Sequence, residues 1–391
     1  MPVGVHAGKR VLYRIRAMDF DLPPDDDPRR IEIRKWLEEH PSPSGRQLAQ
    51  AGYVAPHWPK PWGLDADPIH QLIIEEELKK AGVRKPTNPI GIGWAGPTIL
   101  EAGTQEQKDR YLFPILSGEE IWCQLFSEPG AGSDLASLQT RAVRDGDEFI
   151  VNGQKIWTSL AHIAKFGILL ARTDPNAPKH KGITYFICPM DAEGITIRPI
   201  KEMTGSQTFN EVFLDDVRIP AANVVGEVND GWRLAKVTLA NERVSLSEEG
   251  AIWGSGPTAV DLIELVKKNR DKLDAVMRQR LAKLYTEHRI LQLLRLRTVT
   301  SAIRGEAPGP WASVRKLLAD EHGQHVFETA KDLSGPAGML ADRGPFGSDG
   351  WIWHYGFLFS PALTIGGGTW AIQRNIIGER ILGLPKDPNI D

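Results

Sequence analysis

The chain has 391 residues, 47 of them Lys or Arg and 50 Asp or Glu, for a formal net charge of −3. That length supports a large core and two or three domains. The two signs of charge are interspersed, which argues against nucleic acid or an anionic membrane surface as partner and toward small molecules or other proteins. The N-terminal MPVGVHAGKRVLYRIRAMD lacks an apolar run of signal-peptide length, and no stretch offers the roughly 18 uninterrupted apolar residues of a membrane span. Cys123 and Cys188 lie in hydrophobic surroundings and fit no metal or redox spacing, so a reducing compartment is expected. These features predict a soluble, cytoplasmic protein with no metal site.

Residues 1–120 carry helical patterns broken by prolines: RRIEIRKWLEEH, SGRQLAQAGY, then the loop HWPKPWGLDADP and IHQLIIEEELKKAG. In the last of these Ile69, Leu72 and Ile73 share one face and Ile74 and Leu78 another, giving a broad apolar surface. Glu76 falls back on the first face, so that face is not expected to be buried along its whole length. From Trp122 the texture changes to short β-branched and aromatic runs: EFIVNGQKIW, FGILLARTD, GITYFICPM, GITIRPIKE and NEVFLDDVRIP. The Asn152-Gly153 pair predicts a hairpin turn. After Asn229-Asp230-Gly231, a predicted helix cap, helical periodicity returns through WRLAKVTLANERVSL, AVDLIELVKK, MRQRLAKLYTEHRILQLLRLRTVTSAI and VRKLLADEHGQHVFETAKDL. Helix, sheet and helix in blocks predict an α+β fold with domains at 1–120, 121–229 and 230–391.

Chemistry concentrates in WCQLFSEPGAGSDLASLQT, residues 122–140. Pro129, Gly130 and Gly132 beside Ser127, Ser133 and Asp134 make a tight turn whose N–H and hydroxyl donors suit an anionic or carbonyl-bearing ligand. The residue types fit an ordinary Gly-rich connector equally well. The turn is neither a Walker loop nor a G-x-G-x-x-G dinucleotide turn.

Taken in order, WPKPWG, SEPGAGSD, NGQKIWTS, TFNEVFLDDVRIP, GWRLAKVTLANER and GGGTWAIQRNIIGERILGLP resemble the acyl-CoA dehydrogenases over most of residues 50–386. The resemblance implies an N-terminal helical domain, a middle β-barrel-like domain and a C-terminal four-helix bundle. It implies FAD as cofactor and α,β-dehydrogenation of an acyl-CoA thioester to the trans-2-enoyl-CoA, with flavin N5 taking the β hydride and an electron-transferring flavoprotein as reoxidant. Position by position, Phe126 and Ser127 match flavin-ring contacts, with Gln124 just upstream. Trp157 and Ser159 match residues on the other side of the isoalloxazine. Ser133 matches a position near the pantetheine or phosphate of CoA, Thr369 and Trp370 lie where the family meets the flavin and its pyrophosphate, and Gln373 is an adenine or interface contact. Without the resemblance, Trp157 reads as a core or interface tryptophan.

The reaction needs a carboxylate base for the α proton. Many family members carry a Glu in the loop that reads TIGGGTW here, at the position of Gly367. A branch of the family places its base on the first long helix of the C-terminal domain beside an Arg, and that position reads LANERVSL, with Glu242 and Arg243. By residue type alone, such a Glu-Arg pair is a solvated helix face. The resemblance instead implies Glu242 as base, Gly367 as the gap that leaves it room while its N–H donates to the thioester carbonyl, and Arg243 as a structural or CoA-positioning residue. Two departures stand out. The R-x-x-F-G segment of homotetrameric members has no match, and Asp332 replaces an amide near where pyrophosphate would lie. Similar departures occur in a branch forming mixed tetramers on steroid side-chain acyl-CoAs, so a dimer or tetramer, homo- or hetero-oligomeric, is expected. The alternatives are a non-catalytic or half-site subunit of such a hetero-oligomer, or an acyl-CoA oxidase.

Overall fold

The computed structural model describes residues 23–246, 250–253, 255–268, 273–303, 309–340 and 351–386. The first block is helical: α1 (Pro28–Glu39), α2 (Gly45–Gln50), α3 (Pro68–Lys80), α4 (Gly96–Ala102) and α5 (Gln105–Ser117). Asp27, Ser44, Asp67 and Thr104 cap α1, α2, α3 and α5 by accepting from first-turn N–H groups. A π-helical turn, Gly91–Ala95, runs directly into α4. In α3 the broad apolar surface is present as Ile73, Ile74 and Leu78, but it also buries Glu77. Arg30 donates to Glu77 at 2.6 Å and Arg34 at 2.7 Å, so the buried carboxylate is paired by two guanidiniums of α1. Glu76 takes a bond from Arg30 at the rim, in keeping with a face buried only in part.

The middle block is a curled sheet of β1 (Trp122–Leu125), β2 (Arg141–Asp145), β3 (Glu148–Ser159), β4 (Phe166–Arg172), β5 (Ile183–Pro189), β6 (Ile195–Pro199) and β7 (Phe209–Pro220). The strand order is β1-β4-β2-β3-β7-β6, and β5 lies along β4. β1 runs parallel to β4, while β2·β3, β3·β7, β4·β5 and β6·β7 are antiparallel. β4 and β5 are buried on both faces, which explains their continuous apolar runs, whereas β3 and β7 mostly alternate buried and partly exposed positions. Cys123 and Cys188 are free, buried thiols on the strands flanking Gly167 of β4.

The predicted turn at Asn152-Gly153 is incorrect. Both residues lie inside β3, and β2 and β3 are joined instead through Gly146, with φ +63, between the paired Asp145 and Glu148. Asn152 uses its amide on a bulge in β7: its Nδ2 donates to Asp216 Oδ1 at 2.8 Å, and its Oδ1 accepts from Asp216 N at 3.0 Å. A polar side chain that satisfies a neighbouring bulge has the same local signature as one that makes a turn.

The last block holds α6 (Gly231–Ser245), α7 (Ala259–Lys268), α8 (Ala275–Ile303), α9 (Trp311–Ser334), α10 (Trp351–Phe359) and α11 (Trp370–Arg380). α6 starts at Gly231, directly after the expected cap. α9 packs against α6, α7, α8, α10 and α11, and α6 also packs on β5 and α4. A Cβ on Gly231 would fall 2.8 Å from Tyr185 N, so the glycine lets α6 start hard against β5. Leu234 and Ala235 enter the same core as Ile183 and Tyr185. Thr238 shares hydroxyl hydrogen bonds with Thr98 of α4 at 2.8 Å and Tyr185 of β5 at 3.0 Å. α6 is thereby held by all three blocks of the chain.

Candidate active site

The buried stripe of α6 runs Leu234, Ala235, Thr238, Glu242, at the spacing of one helical face. Three members are apolar or hydroxylic and satisfied; the fourth is a carboxylate only 7% exposed. Gln124 of β1 donates to Glu242 Oε2 at 3.4 Å. Burial pushes the Glu242 carboxyl above its ordinary value, against the lowering pull of the Gln124 bond and of the Arg243 and Lys316 cations. A carboxyl raised in this way is a stronger base when ionised than one in water. Arg243 is half-buried next to it, its guanidinium pulled down chiefly by burial and restored in part by Glu242.

The TIGGGTW loop closes on that carboxylate, and each of its glycines has a steric reason. A Cβ on Gly366 would meet the Trp253 ring at 2.5 Å. One on Gly367, whose φ is +70, would stand 2.7 Å from Leu246, 3.0 Å from Lys316 and 3.6 Å from Glu242 Oε1. One on Gly368, whose φ is +88, would stand 2.8 Å from the Gln373 amide. Gln373, fully buried, donates to the carbonyls of Gly367 and Gly368 at 3.1 and 3.0 Å and so fixes the loop, while its own Oε1 finds no protein partner. Thr369 then caps α11 by accepting from Ile372 N. The loop is ordered by its neighbours, unlike a flexible linker.

On the sheet side, Phe126 is buried edge-on against Tyr185, and Ser127 accepts from Ile156 N at 2.9 Å. Two residues of β3, Ile156 and Trp157, stand opposite the single Glu211 of β7. This bulge turns Trp157 outward, with φ +60 and an indole 59% exposed, against the edge of Phe209. Ser159 resumes the ladder opposite Phe209 and is half-buried. The two motifs are joined by a buried ion pair not anticipated from the sequence: Lys155 donates to Glu128 at 2.8 Å and to the Phe126 carbonyl at 3.1 Å. Burial works against the Glu128 charge, but Lys155 and the N–H groups of Gln139 and Thr140 outweigh it and hold the carboxyl below its usual value. Ser133 is exposed in the turn that follows, beside Asp134, which pairs with Lys179.

The structure therefore brings Glu242, Gln124 and Gly367 together, sets Gln373 and Thr369 behind the loop, and links Phe126 and Ser127, just after β1, to the end of β3 that carries Trp157 and Ser159 through the Ile156 N–H bond to the Ser127 carbonyl. Asp332 pairs with Arg280 of α8 at 2.5 Å. Lys316 and Asp320, also buried beside the loop, were missed. Lys316, Asp320, Gly323, Phe327 and Ala330 form a buried stripe of α9, but in the sequence the two charges are spaced like an ordinary solvated i,i+4 pair.

The residues suit a flat, polar-edged cofactor such as a flavin. An indole is presented outward by a strained bulge, the Ser127 carbonyl is joined to that bulge through Ile156 N, and a glycine cradle leads into a helix N-terminus. Three family models cover nearly all of the chain: acyl-CoA dehydrogenase N-terminal domain over residues 27–119, middle domain over 123–217 and C-terminal domain over 229–382.

The chain belongs to the acyl-CoA dehydrogenase family.

As a member of that family it is an oxidoreductase acting on acyl-CoA, and the family's architecture of helical N- and C-terminal domains around a curled sheet is the one described above. It is 48% identical over 340 residues to acyl-CoA dehydrogenase FadE34 of Mycobacterium tuberculosis, covering 87% of this chain but only 46% of that protein's length. It is 40% identical to acyl-CoA dehydrogenase IpdE1 of the same organism, over 88% of this chain and 87% of the other. Among solved structures it resembles the ChsE4-ChsE5 complex from Mycobacterium tuberculosis with a TM-score of 0.77 and 32% identity, covering 95% of this chain and 100% of the other. A steroid acyl-CoA dehydrogenase, Tcur3481-Tcur3483, matches at the same TM-score and identity over 92% and 97%. Among the described residues no helix is long and apolar enough to cross a membrane, and no group of His, Cys, Asp and Glu could hold a metal ion.

Proposed function

We propose that the chain is an FAD-dependent acyl-CoA dehydrogenase in which Glu242 removes the α proton of the thioester. The observation that carries this reading is the position of Glu242: a buried carboxylate, raised by burial, that faces the vacant side-chain position of Gly367 at 3.6 Å. FAD, when bound, supplies the two-electron acceptor for the hydrogen that leaves the β carbon. The Gly367 N–H donates to the thioester carbonyl and stabilises the negative charge that builds on its oxygen as the α proton departs. Gln124 holds Glu242 Oε2 and fixes the direction from which Oε1 approaches. Trp157 and Ser159 would hold the flavin from one side and the backbone of Phe126 with the Ser127 hydroxyl from the other. Thr369 and the first turn of α11 would hold the pyrophosphate, and Ser133 and Arg243 would serve the CoA.

Glu242→Gln tests the assignment. The variant should bind flavin as the parent does, and flavin bleaching by acyl-CoA should fall at least about a hundredfold, the scale of a lost general base. Unchanged bleaching removes Glu242 from the role. We further propose that the chain works beside a homologous subunit, with a bulky acyl-CoA as substrate and an electron-transferring flavoprotein as acceptor. Supporting this are the similarity to a steroid acyl-CoA dehydrogenase and to the ChsE4-ChsE5 complex. Large apolar side chains also stand exposed on the last block, among them Tyr285, Leu293, Trp311, Trp351 and Trp370. Protein that is colourless alone and takes up flavin only with a co-expressed homologue would assign the chain to the half-site role instead.

A further inference from the structure

Directly beneath the Gly367 loop, α9 carries an ion pair that the proposed chemistry leaves unused. Lys316 is fully buried, and Asp320, one turn later, is 2% exposed. An ammonium has three hydrogens to donate, and here each has an acceptor: Asp320 Oδ1 at 2.7 Å, Asp320 Oδ2 at 2.6 Å and the Leu363 carbonyl at 3.1 Å. Leu363 belongs to the short turn Ser360–Thr364 that leads straight into Ile365 and the glycines. Lys316 thus ties the loop to α9. It also reaches the same spot as the base, since Lys316 Cε and Glu242 Oε1 both lie within 3.6 Å of the position a Gly367 Cβ would take.

A pair of this kind is a poor way to stabilise a helix, because desolvation of two charges offsets most of their attraction. Its position gives it another use. Among the described residues, the charges that act on Glu242 include Arg243 on its own helix and Lys316 from α9, with the neutral Gln124 amide from β1. Arg243 in turn feels Arg380 of α11. Asp320 faces Lys316 and neighbours Glu321, which pairs with Arg374.

We propose that Lys316 is a positioning residue for the dehydrogenation: its ammonium, moderated by Asp320 and pinned to the Leu363 carbonyl, holds the Gly367 loop in register with Glu242 and supplies the opposite charge that the ionised carboxylate faces. The inference rests on Glu242 being the base. It predicts opposite effects for the two partners. Without the Lys316 cation, the Glu242 carboxylate loses a favourable neighbour, and a buried Asp320 left alone protonates, so Glu242 becomes harder to ionise. With Asp320→Asn, the Leu363 carbonyl and the new amide oxygen still accept from Lys316 and the ionised Glu242 remains as its counter-charge, so Lys316 keeps its proton, its field is less compensated and Glu242 ionises more easily. Burial pushes the Asp320 carboxyl up to about 7 against the pull of Lys316, so its charge is itself sensitive near neutrality.

The test is the titration of Glu242 in the full chain labelled with 13Cδ-glutamate, the signal that disappears in Glu242→Gln identifying it. The pH profile of acyl-CoA-driven flavin reduction in the loaded enzyme is followed alongside. Lys316→Met should raise the titration midpoint by about one unit and Asp320→Asn should lower it by about half a unit, the acid limb of the rate moving in the same senses. Lys316→Met should also lower kcat with little change in KM. If Lys316→Met does not fold, the downward shift in Asp320→Asn decides. Unmoved midpoints, or shifts of the same sign, overturn the proposal. Should Glu242→Gln keep full activity, the base assignment fails, whereas the titration still reports whether Lys316 acts on Glu242.

Discussion

The Oε1 of Glu242 stands 3.6 Å from the point where a side chain on Gly367 would begin, although the two residues come from a helix and a loop well separated in the chain. The vacancy is shallow: Leu246 Cδ1 bounds it at 2.7 Å and Lys316 Cε at 3.0 Å, and the backbone there has φ +70. An alanine would meet both the left-handed strain and the crowding. Gly367→Ala should lose about 1–2 kcal/mol of stability in thermal unfolding. It should bleach flavin at least about tenfold more slowly on adding acyl-CoA, because the N–H that meets the thioester carbonyl is displaced. Retention of the parent bleaching rate would mean that the loop does not hold that carbonyl.

Burial raises the Glu242 carboxyl, and this has consequences of defined sign for both rate and stability. The base must be ionised to act, so flavin reduction should fall, as pH drops, through a midpoint above the ordinary carboxylate value of 4.5. For stability, a folded-state value above the unfolded one favours folding fully below the unfolded midpoint, and that contribution is lost as pH rises through the folded midpoint. At neutral pH the ionised Glu242 therefore costs stability. Glu242→Gln should unfold at a higher temperature than the parent at pH 7, and the gap should close toward pH 4. A gap that is constant with pH would contradict the raised value.

Trp157 combines two properties that seldom occur together, an indole 59% exposed and a positive φ of 60 at a bulky residue. Such a backbone costs about 1–3 kcal/mol. Within the chain the indole packs only edge-on to Phe209 among the ring contacts of the described residues, and under the proposed function a flat ligand would lie on its outward face. In flavin-stripped protein, Trp157→Gly should hold or raise the unfolding temperature. Flavin retained through gel filtration should nonetheless fall at least about tenfold, since the stacking surface is gone. Loss of stability in the stripped protein, with flavin content intact, would make the indole structural.

The family resemblance, not residue type, points to Glu242 and Gly367: by type alone Glu242 with Arg243 reads as a solvated helix face, and it is the structure that buries it on the stripe of α6 and shows the glycine loop with little room for side chains. What could not be read are the partners that long-range packing selects. Lys316 and Asp320 are spaced like any solvated i,i+4 pair, and only the packing of α9 amid its neighbours turns that face inward. Glu128 and Lys155 lie in two separate motifs, and their pairing depends on how β3 folds back past the SEPGAGSD turn. Glu77 sits among other acids of α3, and its burial follows from where Arg30 and Arg34 of α1 happen to reach. Local pattern identifies an element and its apolar face; it does not identify which charges another element will cover.

The misread Asn152-Gly153 pair yields the sharpest structural contrast. Gly153 looks like a turn glycine, yet a Cβ there would stand 2.3 Å from Thr140 Oγ1 and 2.8 Å from Thr140 Cα. The second contact is with backbone and cannot be relieved by a rotamer change. Gly146, in the true turn, has φ +63 and open space around it. Gly153→Ala should therefore cost about 2–3 kcal/mol, the scale of overpacking, and should loosen the joint between β2 and β3 that carries Lys155. Gly146→Asn should change stability by less than about 1 kcal/mol, because asparagine tolerates the left-handed region. Denaturant unfolding of the two variants decides: equal losses would return the turn to residues 152 and 153, and a loss confined to Gly153→Ala keeps it at Gly146.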